Sequence, residues 1–195
     1  MSLPQIRIAN AQFVTEYLVV GGDLSVDDEI AARQTIELAE LGVTHVLDVR
    51  VEADDSDWWA GLPGFEYRSA GIDDAGQQVP AAWFDEITDW AVAAIESGGI
   101  VLTHCHMGIN RGPSAGFAVL LRMGWDPVDA LAAIRTARPI ANTWYAEDAL
   151  RWHLRREGAS DAQQHETFAR VAAWRAQNHL DVVRIIRDIR LDEAS

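Results

Sequence analysis

The chain contains no lysine: all 16 basic residues are arginine, set against 30 aspartates and glutamates. A formal charge of -14 repels polyanions from most of the surface, so neither nucleic acid nor a membrane is expected as a partner. The imbalance is uneven, because residues 1–150 hold 8 arginines and 23 acids whereas 151–195 hold 8 and 7. Cysteine is almost absent as well. A single thiol forms no internal disulfide, nothing points to an oxidising compartment, and a cytoplasmic location is expected. No apolar run approaches the ~18 residues of a membrane span. The opening "MSLPQIRIANAQF" also lacks the basic-then-apolar layout of a secretory leader.

What is present suits one compact domain of ordinary size, 195 residues with 49% hydrophobic content. The pattern predicts strands near Ile6–Ile8, Leu18–Val20, Thr44–Val49, Phe65–Arg68 and Ile100–Thr103. A first helix is expected over about Val26–Leu41, with Ser25 as N-cap, and a second over about Ala81–Ile95 after Pro80. Further helices are expected near Gly112–Met123, Pro127–Ala137, Trp144–Arg156 and Ala162–Ile189, the last broken around Gln177–Leu180. The fold class is therefore α/β: a short, mainly parallel central sheet flanked by helices, with a helical C-terminal extension. Residues 1–157 form the α/β domain. Residues 158–195 form amphipathic helices that pack on it, join two copies as a homodimer or dock a partner. The stretch Glu52–Trp59, "EADDSDWW", reads as a solvated acidic loop, or as an aromatic rim beside a cleft.

The chemistry gathers in "IVLTHCHMGINRGPSAG", residues 100–116. A short strand delivers Cys105 to a sheet edge where α/β ligands commonly bind. A tight turn there directs successive main-chain N–H groups inward as an anion nest, with Gly108 supplying the permissive dihedrals. The following helix adds its positive end, and Arg111 adds a planar fork for two phosphate oxygens. The same field is expected to lower the Cys105 pKa and make it a nucleophile toward a bound phosphorus atom. The plainer reading of a lone cysteine is buried packing. It leaves Gly108, Arg111 and the strand-to-helix placement unexplained. A metal site on His104, Cys105 and His106 lacks a second ligand pair at metal spacing, so no metal and no cofactor is expected.

His104, Cys105, Gly108 and Arg111 spell H-C-x-x-G-x-x-R, and this resembles the signature of the cysteine-based protein phosphatases, dual-specificity branch. "YLVVGG", "GVTHVLDVR" and "RPIANTWYAEDAL" are similar to flanking segments of that family. The resemblance covers about Glu16 to Leu154. It implies phosphomonoester hydrolysis through a phosphocysteine on Cys105. His106, Met107, Gly108, Ile109, Asn110 and Arg111 would bind the phosphate, and His104 would support the loop through ring hydrogen bonds. His106 is expected to point outward. The resemblance further implies a general acid on the loop "GIDDAGQQVPAAWF", where Asp74 and Asp73 compete. The family's ten-residue spacing from acid to phenylalanine favours Asp74, ten before Phe84. Substrates would be a phosphorylated protein or a small phosphorylated metabolite.

One position departs from that family. Gly112 stands where the family has serine or threonine, and Ser114, two positions later, is expected to face another side of the helix. The alternative reading is therefore a phosphate-binding module that turns over very slowly. Another cysteine-and-arginine oxyanion chemistry, such as arsenate reduction, would need further cysteines.

Overall fold

The computed structural model describes residues 3–193. Five strands form one sheet: β1 (Ala11–Phe13), β2 (Leu18–Gly21), β3 (Val43–Arg50), β4 (Glu66–Ile72) and β5 (Ile100–His104). Their spatial order is β1-β2-β5-β3-β4; β1 pairs antiparallel with β2, and every other neighbour is parallel. The eight helices among the described residues are α1 (Asp28–Glu40), α2 (Ser56–Ala60), α3 (Ala81–Glu96), α4 (Arg111–Arg122), α5 (Pro127–Ala137), α6 (Ala146–Arg156), α7 (Asp161–Gln177) and α8 (Val182–Glu193). The expected α/β class with a helical C-terminus is the observed one.

β5 lies in the middle of the sheet, and side chains along it and its neighbours are buried on both faces. On one face Val20, Leu47 and Val101 pack with Phe84, Phe117, Leu120 and Leu150 from α3, α4 and α6. On the other, Val19, Val46 and Leu102 pack with Phe13, Leu38 and Trp59. Burying both faces of a parallel sheet removes continuous apolar runs from water, which explains why β3 and β5 are rich in valine and leucine. α4 is buried along most of its length because it crosses beneath the sheet and is covered in turn by α3, α5 and α6. α7 rests on α5 and α6, with Val171 buried and Phe168 and Trp174 packed at the margin.

Four expectations from sequence are corrected. The first strand is Ala11–Phe13, not residues 6–8, because the Glu37 carboxylate takes the main-chain N–H groups of Arg7, Ile8 and Ala9 at 2.7, 2.8 and 2.8 Å. Those donors are therefore unavailable to a sheet ladder. The N-cap of α1 is Asp27, whose carboxylate accepts from Glu29 and Ile30, and not Ser25. α6 opens at Ala146, not at Trp144: Tyr145 is its N-cap residue, and the chain enters through a turn in which Thr143 has a left-handed φ of 53°. The acidic loop contains α2, and its tryptophans form no rim. Trp59 is in the core, and the Trp58 indole N–H donates to the Thr35 hydroxyl at 3.2 Å. The acids of that loop also have specific partners, described next.

Candidate functional site

β5 ends at His104 between β2 and β3, and α4 starts at Arg111, so Cys105 and the five residues after it form a loop at the C-terminal edge of the sheet. Gly108 adopts φ +64°, and a Cβ there would lie 2.6 Å from the Gly21 carbonyl oxygen. Glycine is thus required twice, for the dihedral and for the close approach of β2. The loop is stapled from below by Arg138, which is buried. Its Nε donates to the Gly108 carbonyl at 2.6 Å and its Nη2 to the Met107 carbonyl at 2.8 Å. The other contacts of the fork reach the Gln12 side chain at 2.6 Å and the Asn10 side chain at 2.9 Å. Burial lowers the Arg138 pKa to about 10. The arginine quoted in "RPIANTWY" is therefore a loop support, a role the sequence pattern did not reveal.

Cys105 is buried at the floor of this loop. Burial pushes its thiol up, while the Gly112 N–H, the Arg111 charge and the Gly108 N–H pull the other way. The net direction is upward, which corrects the expectation of a lowered pKa. Burial is the largest cause, and the Asp74 charge adds to it. Arg111, whose charge opposes both, is paired with Glu52: Nη2 donates to Oε1 at 2.5 Å and Nη1 to Oε2 at 2.7 Å. Nη1 also donates to the Ile72 carbonyl at 3.1 Å. Nε is buried with no hydrogen-bond partner and lies 3.7 Å from Asp74 Oδ2.

Asp74 lies on the loop after β4. Its Oδ1 accepts from the Tyr145 hydroxyl at 3.2 Å, and its Oδ2 lies 3.5 Å from Asn110 Nδ2. Asp73 presents its carbonyl instead, which accepts from the Tyr145 hydroxyl at 3.2 Å and from Gln77 Nε2 at 2.6 Å. Of the two candidates, only the Asp74 carboxylate is placed beside Arg111.

His104 is buried, and its Nδ1 and Nε2 face Asp23 and Asp48 across 3.6 and 3.8 Å. Neither nitrogen makes a hydrogen bond, which corrects the expectation of a ring-bonded support. The two carboxylates are engaged by Arg50, at 2.9 Å to Asp23 and at 2.9 and 2.6 Å to Asp48, with Asp55 as a third partner at 2.5 Å. His106 is exposed, as expected, with Nδ1 at 2.8 Å from Asp23 Oδ2. The Ile109 carbonyl accepts from Asn142 and Thr143, and Asn110 Oδ1 accepts from Asn142 Nδ2 at 3.2 Å. Ser114 Oγ accepts the Tyr145 N–H at 3.2 Å, away from the sulfur.

No group of three or more His, Cys, Asp and Glu side chains suited to a metal ion occurs among the described residues. No helix among them is long and apolar enough to cross a membrane. The partners Glu52, Tyr145, Asp23 and Arg50 were not legible as site residues, since each is distant in sequence from Cys105. The one hint was the run of acids after β3.

No family model matches the chain. Over 85 residues it is 32% identical to dual specificity protein phosphatase 1-A of Xenopus laevis, which covers 44% of this chain and 22% of that protein. Over 109 residues it is 31% identical to dual specificity protein phosphatase 1B of Arabidopsis thaliana, covering 52% of this chain and 59% of that protein. The chain thus spans about a fifth of the first relative's length and rather more than half of the second's. Among solved structures, human DUSP28 superposes with a TM-score of 0.62 at 22% identity, over 76% of this chain and 95% of that one. PTPMT1 in complex with PI(5)P superposes with a TM-score of 0.60 at 17% identity, over 83% and 99%. The curated relatives and the shared fold support a place for the chain in the dual-specificity-like cysteine phosphatase superfamily.

Proposed function

We propose that the protein hydrolyses phosphate monoesters through a phosphocysteine on Cys105. The observation that carries this reading is the Arg111 Nε, buried and unbonded between the loop and Asp74. A phosphoryl group seated in the loop supplies the missing acceptor, and the main-chain N–H groups of Gly108 and Gly112 take further oxygens. The reacting form is the Cys105 thiolate, its proton released to solvent; the sulfur attacks phosphorus, and the bond to the ester oxygen breaks as the protonated Asp74 carboxyl delivers its proton to that oxygen. Asp74 then takes a proton from water, which attacks phosphorus and returns the thiolate with release of inorganic phosphate.

The relatives' activity supports the reaction class, and the neighbour's complex with PI(5)P supports small phosphorylated molecules beside phosphoproteins as substrates. The test is hydrolysis of p-nitrophenyl phosphate by the wild-type chain and by Cys105→Ser. The variant should lose turnover and still bind vanadate. Retained turnover would refute the mechanism.

A second reading has a specific observation behind it. Gly112 carries no hydroxyl, and the Ser114 hydroxyl is turned to Tyr145, so no serine side chain in this segment assists departure of the thiolate. On that reading phosphocysteine hydrolysis is slow. A burst of p-nitrophenol equal to the enzyme concentration, followed by a slow steady state, is its signature.

A further inference from the structure

Most arginines of this chain stand within ion-pair distance of a carboxylate. Arg135 and Arg175 do not. Arg135 donates Nε to the Ala141 carbonyl and Nη1 to the Asn178 carbonyl, both at 2.8 Å, and its guanidinium lies 5.5 Å from the Trp174 ring centroid. Arg175 donates Nη1 to the Thr143 carbonyl at 2.9 Å. Their partners are neutral, so two positive charges remain uncompensated at contact distance. They also act on each other: burial lowers both, and the Arg175 charge lowers Arg135 further. Glu147 influences Arg175 only from beyond ion-pair range. Arg138 also has only neutral partners, but they fill its fork; Arg135 and Arg175 neighbour one another with guanidinium N–H groups left over, an arrangement that suits an anion.

Both line an open cavity of about 800 Å³, a size typical of small-molecule sites, whose wall includes His179 from the turn between α7 and α8. The one carboxylate on its wall, Asp181, caps the first turn of α8 by accepting the Arg184 N–H at 3.0 Å. The cavity reaches the Cys105–Arg111 loop through Asn142. Asn142 lines the cavity and bonds Asn110, and half-exposed Trp144 separates the cavity from the depression along Gly76, Gln77 and Tyr145.

We propose that the cavity between Arg135 and Arg175 is a subsite for a second phosphate group, so that the preferred substrate is a small molecule carrying two phosphates. One phosphate sits over Cys105, and the carbon frame passes Asn142 and Trp144. The second phosphate takes the guanidinium N–H groups that the carbonyls leave over. The substrate part rests on the phosphatase reading above; the anion site does not. Both arginines stand outside the H-C-x-x-G-x-x-R loop, and Arg175 comes from the C-terminal helices beyond the family resemblance.

Calorimetric titration of Cys105→Ser with inorganic phosphate tests the site directly. Two phosphates should bind, one being lost in a further Arg111→Met change and the other in Arg135→Gln or Arg175→Gln. A single phosphate, or a second one that survives both glutamine variants, overturns the subsite, and the result scored as an adventitious ion only is a second phosphate displaced by equal chloride.

Kinetics tests the substrate. The ratio of kcat/KM for fructose 1,6-bisphosphate to that for fructose 6-phosphate should be about ten in the wild type and about one in either glutamine variant. A general loss of stability lowers both constants together and leaves the ratio alone. A wild-type ratio near one, or a preference confined to doubly phosphorylated peptides, overturns the small-molecule assignment. Two bound phosphates without hydrolysis of any monoester would sink the phosphatase reading and leave the anion site standing.

Discussion

Glu52 closes on Arg111 through two parallel hydrogen bonds of 2.5 and 2.7 Å, and so offsets the positive charge that acts on the Cys105 thiol. Glu52→Gln removes the charge and keeps a polar side chain. The Arg111 field on the sulfur is then offset by Asp74 and no longer by Glu52, and Cys105 should ionise at lower pH. Alkylation by iodoacetamide at pH 7 should be about three- to tenfold faster than in the wild type. An unchanged alkylation rate would assign control of the thiol to burial alone.

The same pair carries a signature in acid. Hydrogen bonds from Arg111 hold the Glu52 carboxyl at about 2, against a usual value of 4.5. A carboxylate depressed in the folded state adds stability above its unfolded value and loses it as pH falls through the folded one. Urea unfolding at a series of pH values should therefore show the wild type's advantage over Glu52→Gln constant above about pH 5 and shrinking from about 4.5 to 2. A difference flat across that window rules out the ion pair as its source.

Asp74 and Tyr145 form the second testable pair. Asp74→Asn should lower kcat/KM by about a hundredfold on alkyl phosphates, whose leaving groups need a proton, and far less on p-nitrophenyl phosphate. Tyr145→Phe removes the hydroxyl that holds Asp74 Oδ1. A loss of about three- to tenfold in kcat, with KM unchanged and the same leaving-group dependence, is expected if it positions the acid. Should Asp73→Asn prove the more damaging change, the assignment of the acid moves one residue.

Gly112 leads to a sharper experiment. A Cβ at this position would lie 3.0 Å from the Cys105 nitrogen and from His104 main-chain atoms, so Gly112→Ser requires the loop to yield by a few tenths of an ångström. Where it yields, the hydroxyl should shorten the lifetime of the phosphocysteine, and the p-nitrophenol burst should shrink relative to the steady rate. A burst of undiminished size shows that the missing hydroxyl is not the cause of slow turnover.

Arg138→Met should cost about 3 kcal/mol in chemical unfolding, because it leaves the buried Gly108 carbonyl and the partly buried Met107 carbonyl without their donor. Phosphate affinity should fall with it, as the loop loses its floor. Equal stability would show that water replaces the guanidinium there.

The parts legible in the sequence were those governed by local rules. Short β-branched runs bounded by helix signals place β3 and β5, and Pro127 opens α5 at its observed first residue. The loop chemistry was legible because cysteine, glycine and arginine lie within seven residues, where a tight turn brings them together whatever the rest of the chain does. Glu37 shows the opposite case. Nothing near residues 6–9 announces that a carboxylate some thirty positions later will take their N–H groups and move the first strand to Ala11.

The sequence alone determined the fold class, the Cys105–Arg111 loop and the pair of candidate acids, because periodicity and turn chemistry act over a few residues. Only the tertiary structure decided that the Asp74 carboxylate, and not that of Asp73, stands beside Arg111, that Glu52 neutralises Arg111, and that His104 lies unbonded between two carboxylates. It alone brought Arg135 and Arg175 to one cavity beside the loop. Electrostatic fields depend on distance in space and on burial, and separation along the chain specifies neither.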